Sequence, residues 1–329
     1  MRKRYVVLVM LLVFAVTAQT VFGGGGGEKK EGAAAPAVRR LSLATGGTAG
    51  TYYPIGAAMT NIISKKVPGV EVTAEATGAS VANLKMIAEN KVDFMMGAAN
   101  TAYGGFTGEE PFPKPISNIR GMMALYPETF QFVVLRNSGL KTLADLRGKR
   151  VVVGAPGSGT ERTAKLLLEA HGIDYGDIKP QFLSFGEGVT ALKDRLVDCA
   201  IVGAGIPTSA VVDAAASLDI GLLSVKQDAF DKVAKDIQYL TMVKIPAGTY
   251  KGVNEDVMTA ASPALLITRQ DMDDETVYRI IAALFDNLGD IQASHVQGKS
   301  ITLETALNGM SLPLHPGAAR YFKEKGILK

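Results

Sequence analysis

The chain has 329 residues, of which 47% are hydrophobic, with 35 basic and 32 acidic side chains. This length can bury two modest cores, and the low net charge, without basic runs interleaved with aromatic residues, argues against a nucleic-acid surface. The single cysteine, Cys199, excludes an internal disulfide, and its setting in VDCAIVG predicts a small buried side chain.

The first 23 residues have the three parts of a secretory signal. Basic residues occupy positions 2–4, an apolar run follows at 5–16, and small residues precede the expected cleavage site. Cleavage would leave 32 basic and 32 acidic residues. A membrane anchor is the alternative, but the apolar run is short for a span. No cysteine lies near this site, so no lipid anchor is expected. Five consecutive glycines begin at Gly23, and residues 24–40 are predicted to be a flexible linker.

Strands and helices alternate from residue 41 to about residue 125. Apolar or alternating runs predict strands at LSLAT, VEVTAEA and VDFMMGAA, and helices after Tyr53 and Ser80. Residues 103–115 contain three prolines and are predicted to form a surface loop, with another strand at 119–126. This alternation is typical of an α/β fold.

A second α/β unit is predicted over roughly residues 130–224. It begins with a strand at 130–136 and includes RVVV, the helix of residues 160–171 and the strand CAIVGAG. Helices expected at 276–288 and 301–307 do not build a third unit, so we expect them to pack on the first.

The fold class predicted from these elements is α/β with two lobes and a cleft between them. The first lobe would contain residues 41–125 and 251–329, and the second residues 126–250. The chain would cross between the lobes near Tyr126 and near Tyr250.

Three strand-to-helix turns rich in glycine and small hydroxyls mark the expected site. They follow the strands that end near Thr45, Ala76 and Val153, and the third contains GAPGSGTE. Helix starts present free N–H groups, and turns at the carboxyl ends of parallel strands converge in open sheets. The turns therefore predict a site for a carboxylate or phosphate, although one such turn alone is often only structural.

The third turn does not match the nucleotide-binding motifs. Its glycines have P-loop spacing, but Thr160 and Glu161 occupy the positions of the lysine and the Ser/Thr. Arg162 stands where the third glycine of G-x-G-x-x-G belongs. Around Ser158, Pro156 and Thr160 occupy the positions of the two glycines of a G-x-S-x-G nucleophile elbow.

The sequence contains no evident catalytic or metal-binding set. His171, His295 and His315 are not spaced as metal ligands, and we expect no metal, no cofactor and no enzyme activity. Tyrosines near strand ends are either cleft walls or packing residues: Tyr52, Tyr53, Tyr103 and Tyr126. Three arginines are either carboxylate clamps or solvated charges: Arg136, Arg150 and Arg162.

Five motifs resemble the TAXI family, the solute receptors of TRAP transporters. They are ATGGTAGTYYPIGAAM, EATGASVANLKMIAENKVDF, LADLRGKRVVVGAPGSGTERTA, IPAGTYKG and PLHPGAARYFKEKGI, in order from residue 41 to the end. The resemblance implies a periplasmic receptor with the type II two-lobe periplasmic binding protein fold, and we expect a monomer. It also implies a small anionic ligand, glutamate-like or dicarboxylate-like, and docking on separate membrane subunits.

Family positions and the residues themselves give the candidate ligand contacts. In the first lobe they are Gly47, Thr48, Tyr52, Thr77, Gly78, Ala79, Ser80 and Asn100. In the second lobe they are Ser158, Gly159 and Thr160 with Gly205 and Pro207 of the loop 203–207.

One departure from the family pattern concerns the ligand. Members commonly carry Gln-x-Asp where this chain has Ala98, Ala99 and Asn100. An α-ammonium group would be held less well without the carboxylate, so we expect a dicarboxylate or oxo-acid. A receptor for an ATP-driven importer or a sensor is the alternative, and an enzyme acting on a carboxylate a distant one.

Overall fold

The computed structural model describes residues 38–236 and 239–329, so the predicted signal sequence and most of the predicted linker lie outside these ranges. The strands are β1 (Arg39–Ala44), β2 (Val70–Glu75), β3 (Phe94–Ala98), β4 (Ile119–Leu135), β5 (Arg150–Val152), β6 (Lys179–Gln181), β7 (Cys199–Ala204), β8 (Ile220–Leu223), β9 (Thr241–Ile245) and β10 (Val257–Arg269). The helices are α1 (Tyr52–Lys66), α2 (Ser80–Ala88), α3 (Ala99–Thr107), α4 (Gly159–Ala170), α5 (Phe185–Lys193), α6 (Ser209–Ser217), α7 (Gln227–Asp236), α8 (Asp274–Asp286), α9 (Leu288–Ser294) and α10 (Pro316–Glu324). None of the helices in this described part is long and apolar enough to cross a membrane.

The strands form one mixed sheet, with the main order β2-β1-β3-β10-β4-β7-β5-β6. At one end β1 pairs in parallel with β2 and β3, and at the other β5 pairs in parallel with β6 and β7. Between them β10 and β4 are antiparallel to each other and to their outer neighbours. β8 pairs with β4, and β9 with β10. The sheet therefore has two parallel ends joined by two long antiparallel strands.

The strands β4 and β10 connect the two ends of the sheet. The sequence predicts separate strands at 119–126 and 130–136, but the structure has one strand of 17 residues. Pro127 lies opposite Pro263, and the pairing is irregular between Pro263 and Leu265. Proline has no N–H to donate to a ladder. Because the two prolines lie opposite each other, the missing ladder hydrogen bonds are confined to the point where both strands pass between the two ends of the sheet.

The second passage between the ends lies near Pro263, whereas the sequence suggests a position near Tyr250. β10 pairs with β9 as far as Ala261 and with β3 from Ala264 onward. Tyr250 is buried in the same hydrophobic cluster as Val257. The long strand β10, and not the loop before it, makes the crossing.

Separate hydrophobic clusters cover the two ends of the sheet. Helices α1, α8 and α10 share one cluster through Ile55, Ile280 and Phe322, and α2 and α3 pack in another at the same end. Two further clusters surround β5, β7 and β8. We call residues 39–126 with 264–329 the first lobe, and residues 128–262 the second lobe.

Helix α3 occupies part of the segment predicted as a loop at 103–115. Gly104 and Gly105 lower the helix propensity of this segment, but Gly105 allows close packing on α2. A Cβ at Gly105 would lie 3.1 Å from Leu84 Cδ1. The helix ends before Gly108, whose φ of +85° favours glycine. Tertiary packing therefore overrides the local composition.

The helix predicted at 301–307 is absent, and turns follow Ile301 instead. The Thr305 hydroxyl donates to Ser300 O at 2.8 Å, and Thr302 N donates to Thr305 Oγ1 at 3.1 Å. Hydroxyls that bond nearby backbone groups compete with helical hydrogen bonds. The apolar spacing of this segment still reflects burial, since Ile301 and Ala306 are fully buried.

Candidate functional site

A cavity of about 350 Å³ lies between the lobes, at the carboxyl ends of β1, β2, β5, β6 and β7. Its volume is in the range of small-molecule sites. All three turns singled out in the sequence line it, with ten of the candidate contacts: Gly47, Thr48, Tyr52, Thr77, Gly78, Ala79, Ser80, Ser158, Gly159 and Thr160. The other lining residues are Gly46, Ala49, Gly50, Thr51, Ala76, Tyr126, Glu128, Ala155, Ser184, Phe185, Gly186, Gly203 and Ala204.

Four helices begin at this cavity. The first residues of α1, α2, α4 and α5 all line it: Tyr52, Ser80, Gly159 and Phe185. The first N–H groups of a helix have no partner inside it, and the helix dipole adds partial positive charge there. The arrangement can bind an anionic group without a basic side chain. The start of α5 is the part of this set that the sequence reasoning missed, although Ser184 and Glu187 form a recognisable capping box.

Several cavity hydroxyls hold their own loops in place. Ser158 is the N-cap of α4, and its Oγ accepts a hydrogen bond from Glu161 N at 3.0 Å. Ser80 Oγ accepts one from Ala98 N at 3.1 Å. Thr77 Oγ1 accepts one from Ala79 N at 3.1 Å. These hydroxyls therefore fix the loop geometry and remain on the cavity wall.

Asn83 joins the first-lobe loops from behind the cavity. This buried side chain donates to Thr45 O at 2.7 Å and to Met96 O at 2.9 Å, at the ends of β1 and β3. Its Oδ1 accepts from the Thr77 hydroxyl at 2.6 Å. One amide therefore aligns three strand ends, and no local sequence pattern indicates this role.

Close packing around the cavity depends on glycine at several points, of which Gly159 faces the other lobe. A Cβ at Gly159 would lie 2.7 Å from Ser80 Oγ, and one at Gly203 would lie 2.8 Å from Thr160 Oγ1. Gly154 has φ of +115°, and a Cβ there would also meet Ser158 Oγ at 2.8 Å. Side chains at these positions would push apart the segments that form the cavity.

The inner wall carries three buried polar groups from α1 and β4. Tyr52, Tyr126 and Glu128 are 8%, 3% and 5% exposed, and both tyrosine rings are in edge contact at 6.5 Å between centroids. The two tyrosine hydroxyls and Glu128 Oε1 have no hydrogen-bond partner within the described residues. The Tyr52 hydroxyl is near the Glu128 carboxyl but outside hydrogen-bond geometry.

Burial shifts the pKa values of the three titratable groups on this wall. Desolvation raises the pKa of Glu128 to about 8, and the nearby Tyr52 hydroxyl offsets part of that rise. Desolvation, with the Glu128 charge, also raises the pKa of Tyr52 and Tyr126 well above the ordinary tyrosine value. Glu128 was missed in the sequence, where a charged residue between the apolar runs GMMALY and FQFVVL was the available signal.

No lysine or arginine lies among the described residues that line the cavity. Arg136 donates to Asp219 Oδ1 at 3.1 Å, and Arg150 donates to Asp198 Oδ1 at 2.7 Å. Arg162 pairs with Glu109. All three arginines considered as ligand clamps are therefore engaged elsewhere.

Three candidate contacts do not line the cavity: Asn100, Gly205 and Pro207. Asn100 is 2% exposed, and its amide donates to Thr163 Oγ1 at 2.9 Å. Gly205 O accepts from Thr208 Oγ1 at 2.8 Å, and a Tyr250–Gln131–Thr208 network holds this loop. Asn100 and the loop residues contribute to contacts around the cavity and not to its wall.

The lobes touch on several sides of the cavity. Ala82 N of the first lobe donates to Gly157 O of the second at 2.9 Å. Thr51 Oγ1 donates to Gly205 O at 3.3 Å. Arg162 of α4 donates to Glu109 Oε2 at 3.0 Å on the other lobe. The structure is therefore a closed arrangement, in which both lobes contribute to one enclosed site.

The histidines and the cysteine have structural roles. His315 Nδ1 accepts from Gly317 N at 3.2 Å, and His171 Nε2 accepts from Lys226 N at 3.1 Å. Burial lowers the pKa of both. Burial likewise raises the pKa of the Cys199 thiol. In the described part of the chain, His, Cys, Asp and Glu side chains form no cluster suited to a metal ion.

Solved structures with this architecture bind small molecules. MatC from Rhodopseudomonas palustris with bound malate is similar with a TM-score of 0.55 and 13% identity, over 88% of this chain and 99% of that one. PhnD1 from Prochlorococcus marinus in complex with methylphosphonate is similar with a TM-score of 0.50 and 13% identity, over 88% and 96%. The predicted fold class, the α/β periplasmic binding protein fold with a cleft between two lobes, is confirmed.

The family assignment rests on a match along most of the sequence. Residues 43–326 match the model described as the NMT1-like family. The match begins in β1 and ends after α10, so it includes both lobes and every cavity-lining loop. The chain belongs to the NMT1-like family.

Proposed function

We propose that the protein is an extracytoplasmic solute receptor that binds a small carboxylate and delivers it to membrane transport subunits. The observation that carries this proposal is the convergence of four helix N-termini on one cavity between two lobes. The malate bound to MatC and the methylphosphonate bound to PhnD1 are anions of a size that a cavity of about 350 Å³ can hold.

Closure of the lobes explains how binding is signalled. Residues from both lobes line the cavity, so a bound solute gains contacts in the closed form that the open form lacks. That difference in affinity shifts the population toward closure. The closed surface then differs from the open one, and membrane subunits can recognise it.

The location and the transporter class are part of the proposal. A signal sequence at 1–23, a linker at 24–40 and lobe bounds at 41–125, 126–250 and 251–329 are predicted from the sequence. The five motifs favour an ion-driven TRAP transporter, while the similarity to PhnD1 and the NMT1-like match support the alternative, a receptor for an ATP-driven importer, better than the TRAP assignment. Neighbouring genes for fused TRAP membrane subunits, or for an ATPase and permease, would decide between them.

The binding proposal is tested by a thermal-shift screen of residues 38–329, refolded to remove carried-over ligand. The panel contains glutamate, glutamine, 2-oxoglutarate, succinate, aspartate, malate and phosphate. A ligand at about 100 times its Kd adds about 2.7 kcal/mol, which raises the Tm by a few degrees. A selective shift supports the receptor function. No shift with any compound contradicts it, and turnover of a bound compound would indicate an enzyme.

A further inference from the structure

The link between the lobes narrows to two strands over a short stretch. β9 pairs with β10 as far as Ala261, and β3 pairs with β10 only from Ala264 onward. On the other side of the link, β7 pairs with β4 only from Thr129 onward. In the described sheet, Ser262 and Pro263 therefore have β4 as their only strand neighbour. Two-stranded ribbons twist more strongly than wider sheets, so this ribbon is where the lobes can turn relative to each other.

A second cavity lies on the face of this ribbon that is turned away from the interlobe cavity. Pro127 and Glu128 are successive residues of β4, and successive side chains of a strand point to opposite faces. Glu128 lines the interlobe cavity, whereas Pro127 and the opposed Pro263 line a separate cavity of about 370 Å³. Tyr126, beside the irregular point of the ladder, borders both. We call the second one the back cavity, lined by parts of β4, β9 and β10 and by Ser300, Thr305 and Asn308.

The walls of the back cavity belong to different lobes. Thr241 and Val243 of β9 form one wall, and the pairing of β9 with β10 fixes that wall to the second lobe. Asn308 belongs to the facing wall, in the turns that follow Ile301. Those turns are fixed to the first lobe, where Ala124 N donates to Ala306 O at 2.7 Å. A relative movement of the lobes therefore changes the distance between the two walls.

The opposite placement of the two cavities couples them. When the lobes rotate about the ribbon, one face widens as the other narrows. Opening of the interlobe cleft therefore brings the walls of the back cavity together, and closure separates them. A molecule that fits the back cavity of the closed form binds the open form less well. Its difference in affinity for the two forms shifts the population toward closure.

The lining of the back cavity suits an uncharged molecule. None of the described residues that line it carries a charge, and an ion buried there without a partner would be costly. Leu125, Val243 and the two prolines provide apolar contact. The exposed side chains of Thr241 and Asn308 offer a hydroxyl and an amide. The volume of about 370 Å³ is in the range of small-molecule sites.

We propose that the back cavity is a second binding site, for a small uncharged molecule with an apolar body and a hydrogen-bonding group, and that its occupation favours closure of the lobes. The two sites are then linked reciprocally. An occupant of the back cavity strengthens solute binding in the cleft, and the solute strengthens binding in the back cavity by the same factor. The inference concerns lobe closure, so it does not depend on which solute the cleft binds.

The first test uses benzamide as an uncharged probe, with benzamidine as a cation of nearly the same shape. Binding is followed through the methyl resonances of Val243 in protein labelled with ¹³C at its methyl groups. We expect benzamide to shift these resonances at millimolar concentration, the affinity range of a fragment of this size, and benzamidine to leave them in place. A shift with benzamidine, or none with benzamide at about 20 mM, contradicts an uncharged site.

The second test measures closure by the distance between spin labels at Lys114→Cys and Glu169→Cys. Both positions are exposed and lie on different lobes, and the native Cys199 is fully buried. Thr241→Trp places an indole on the wall of the back cavity, in a strand that tolerates aromatic residues. It should raise the ratio of closed to open protein about 3- to 10-fold, as should saturating benzamide. Met258→Trp, exposed on β10 and outside both cavities, is the matched control and should change nothing.

The outcomes separate this inference from the receptor function. Closure with benzamide and with Thr241→Trp supports the inference even where the thermal-shift screen finds no solute. An unchanged distance, or a shift toward the open form, overturns it and leaves the receptor proposal to its own screen. Should Thr241→Trp fail to fold, benzamide added to the labelled protein with an unaltered back cavity still decides.

Discussion

At the residue scale, this protein keeps polar side chains buried for two different reasons. Asn83 has its hydrogen bonds filled within the first lobe and serves to align strand ends. Glu128 has an unpaired oxygen at the cavity and no cation near it among the residues that the structure describes. A satisfied buried amide stabilises the fold, whereas an unsatisfied buried carboxyl weakens it in the absence of ligand. The two residues should therefore respond oppositely to substitution.

Replacing Glu128 by glutamine should stabilise the ligand-free protein more as pH rises. The folded pKa is about 8, above the ordinary 4.5, so the folded state holds a proton that the unfolded state has lost between these values. The stability of the unmodified protein then falls with rising pH in this window, by up to about 1.4 kcal/mol per unit. Urea unfolding at pH 5, 6 and 7 measures this. Parallel profiles for the two proteins would contradict the raised pKa.

Ser158→Ala should lower both stability and affinity, because Ser158 caps α4 and lines the cavity. Loss of an N-cap costs about 1 kcal/mol, and the misaligned first turn would weaken binding several-fold. Asp273→Ala is the matched control, since Asp273 caps α8 through a 2.8 Å bond from Thr276 N outside the cavity lining. It should lose similar stability in urea unfolding and keep its affinity. If Ser158→Ala bound the solute as tightly as Asp273→Ala, the start of α4 would not be part of the binding site.

At the element scale, the closed form depends on contacts between helices of different lobes. Arg162 of α4 is 10% exposed and pairs with Glu109, after the end of α3. It also donates to Glu110 O at 3.2 Å. Burial lowers the pKa of this guanidinium, and the Glu109 charge offsets part of that change. Since these contacts span the cleft, opening the lobes breaks them.

Arg162→Ala should therefore favour the open form and speed solute release. Loss of this partly buried pair should weaken affinity about 3- to 10-fold, mainly through the dissociation rate, which stopped-flow measurements report. Arg147→Ala is the control, because Arg147 pairs with Asp177 at 2.6 Å within the second lobe. An unchanged dissociation rate for Arg162→Ala would show that the pair does not contribute to closure.

At the scale of the whole molecule, two strands form the only main-sheet link between the lobes in the described residues. β4 and β10 pass between them, and the opposed prolines, Pro127 and Pro263, mark the irregular point of the ladder. Each lobe has its own hydrophobic clusters. A relative movement of the lobes therefore leaves both cores intact and changes only the cleft.

Gly159→Ala should block full closure while preserving each lobe. The added Cβ would lie 2.7 Å from Ser80 Oγ on the opposite lobe, and alanine is otherwise favourable in a helix. We expect at least tenfold weaker binding, a nearly unchanged ligand-free Tm, and a larger radius of gyration at saturating ligand by small-angle scattering. Gly289→Ala is the control, since Gly289 lies in helix α9 outside the cavity lining and its Cβ would meet no atom within 4 Å. Full affinity in Gly159→Ala would contradict the closed geometry.

Much of this molecule follows from local pattern. The apolar periodicity determines where most strands and helices form, and the small residues after each strand determine where three cavity loops lie. These signals depend on neighbours in the chain, so a sequence shows them directly. The passage of β4 and β10 through both lobes and the helix at Gly104 depend on contacts with distant residues, so the local pattern predicted them wrongly. The turns after Ile301 arise from hydroxyl-to-backbone hydrogen bonds that the apolar spacing does not show.

The sequence alone therefore determined the α/β class and ten cavity residues. The tertiary structure decided which other residues line the cavity. Asn100 follows a strand as a site residue would, yet it is buried against Thr163. Glu128 stands within a strand among apolar residues, and only the crossing of β4 between the lobes brings it to the wall. Burial and the lack of a hydrogen-bond partner depend on the whole folded structure, so the sequence could not show that an acidic side chain lies in this site.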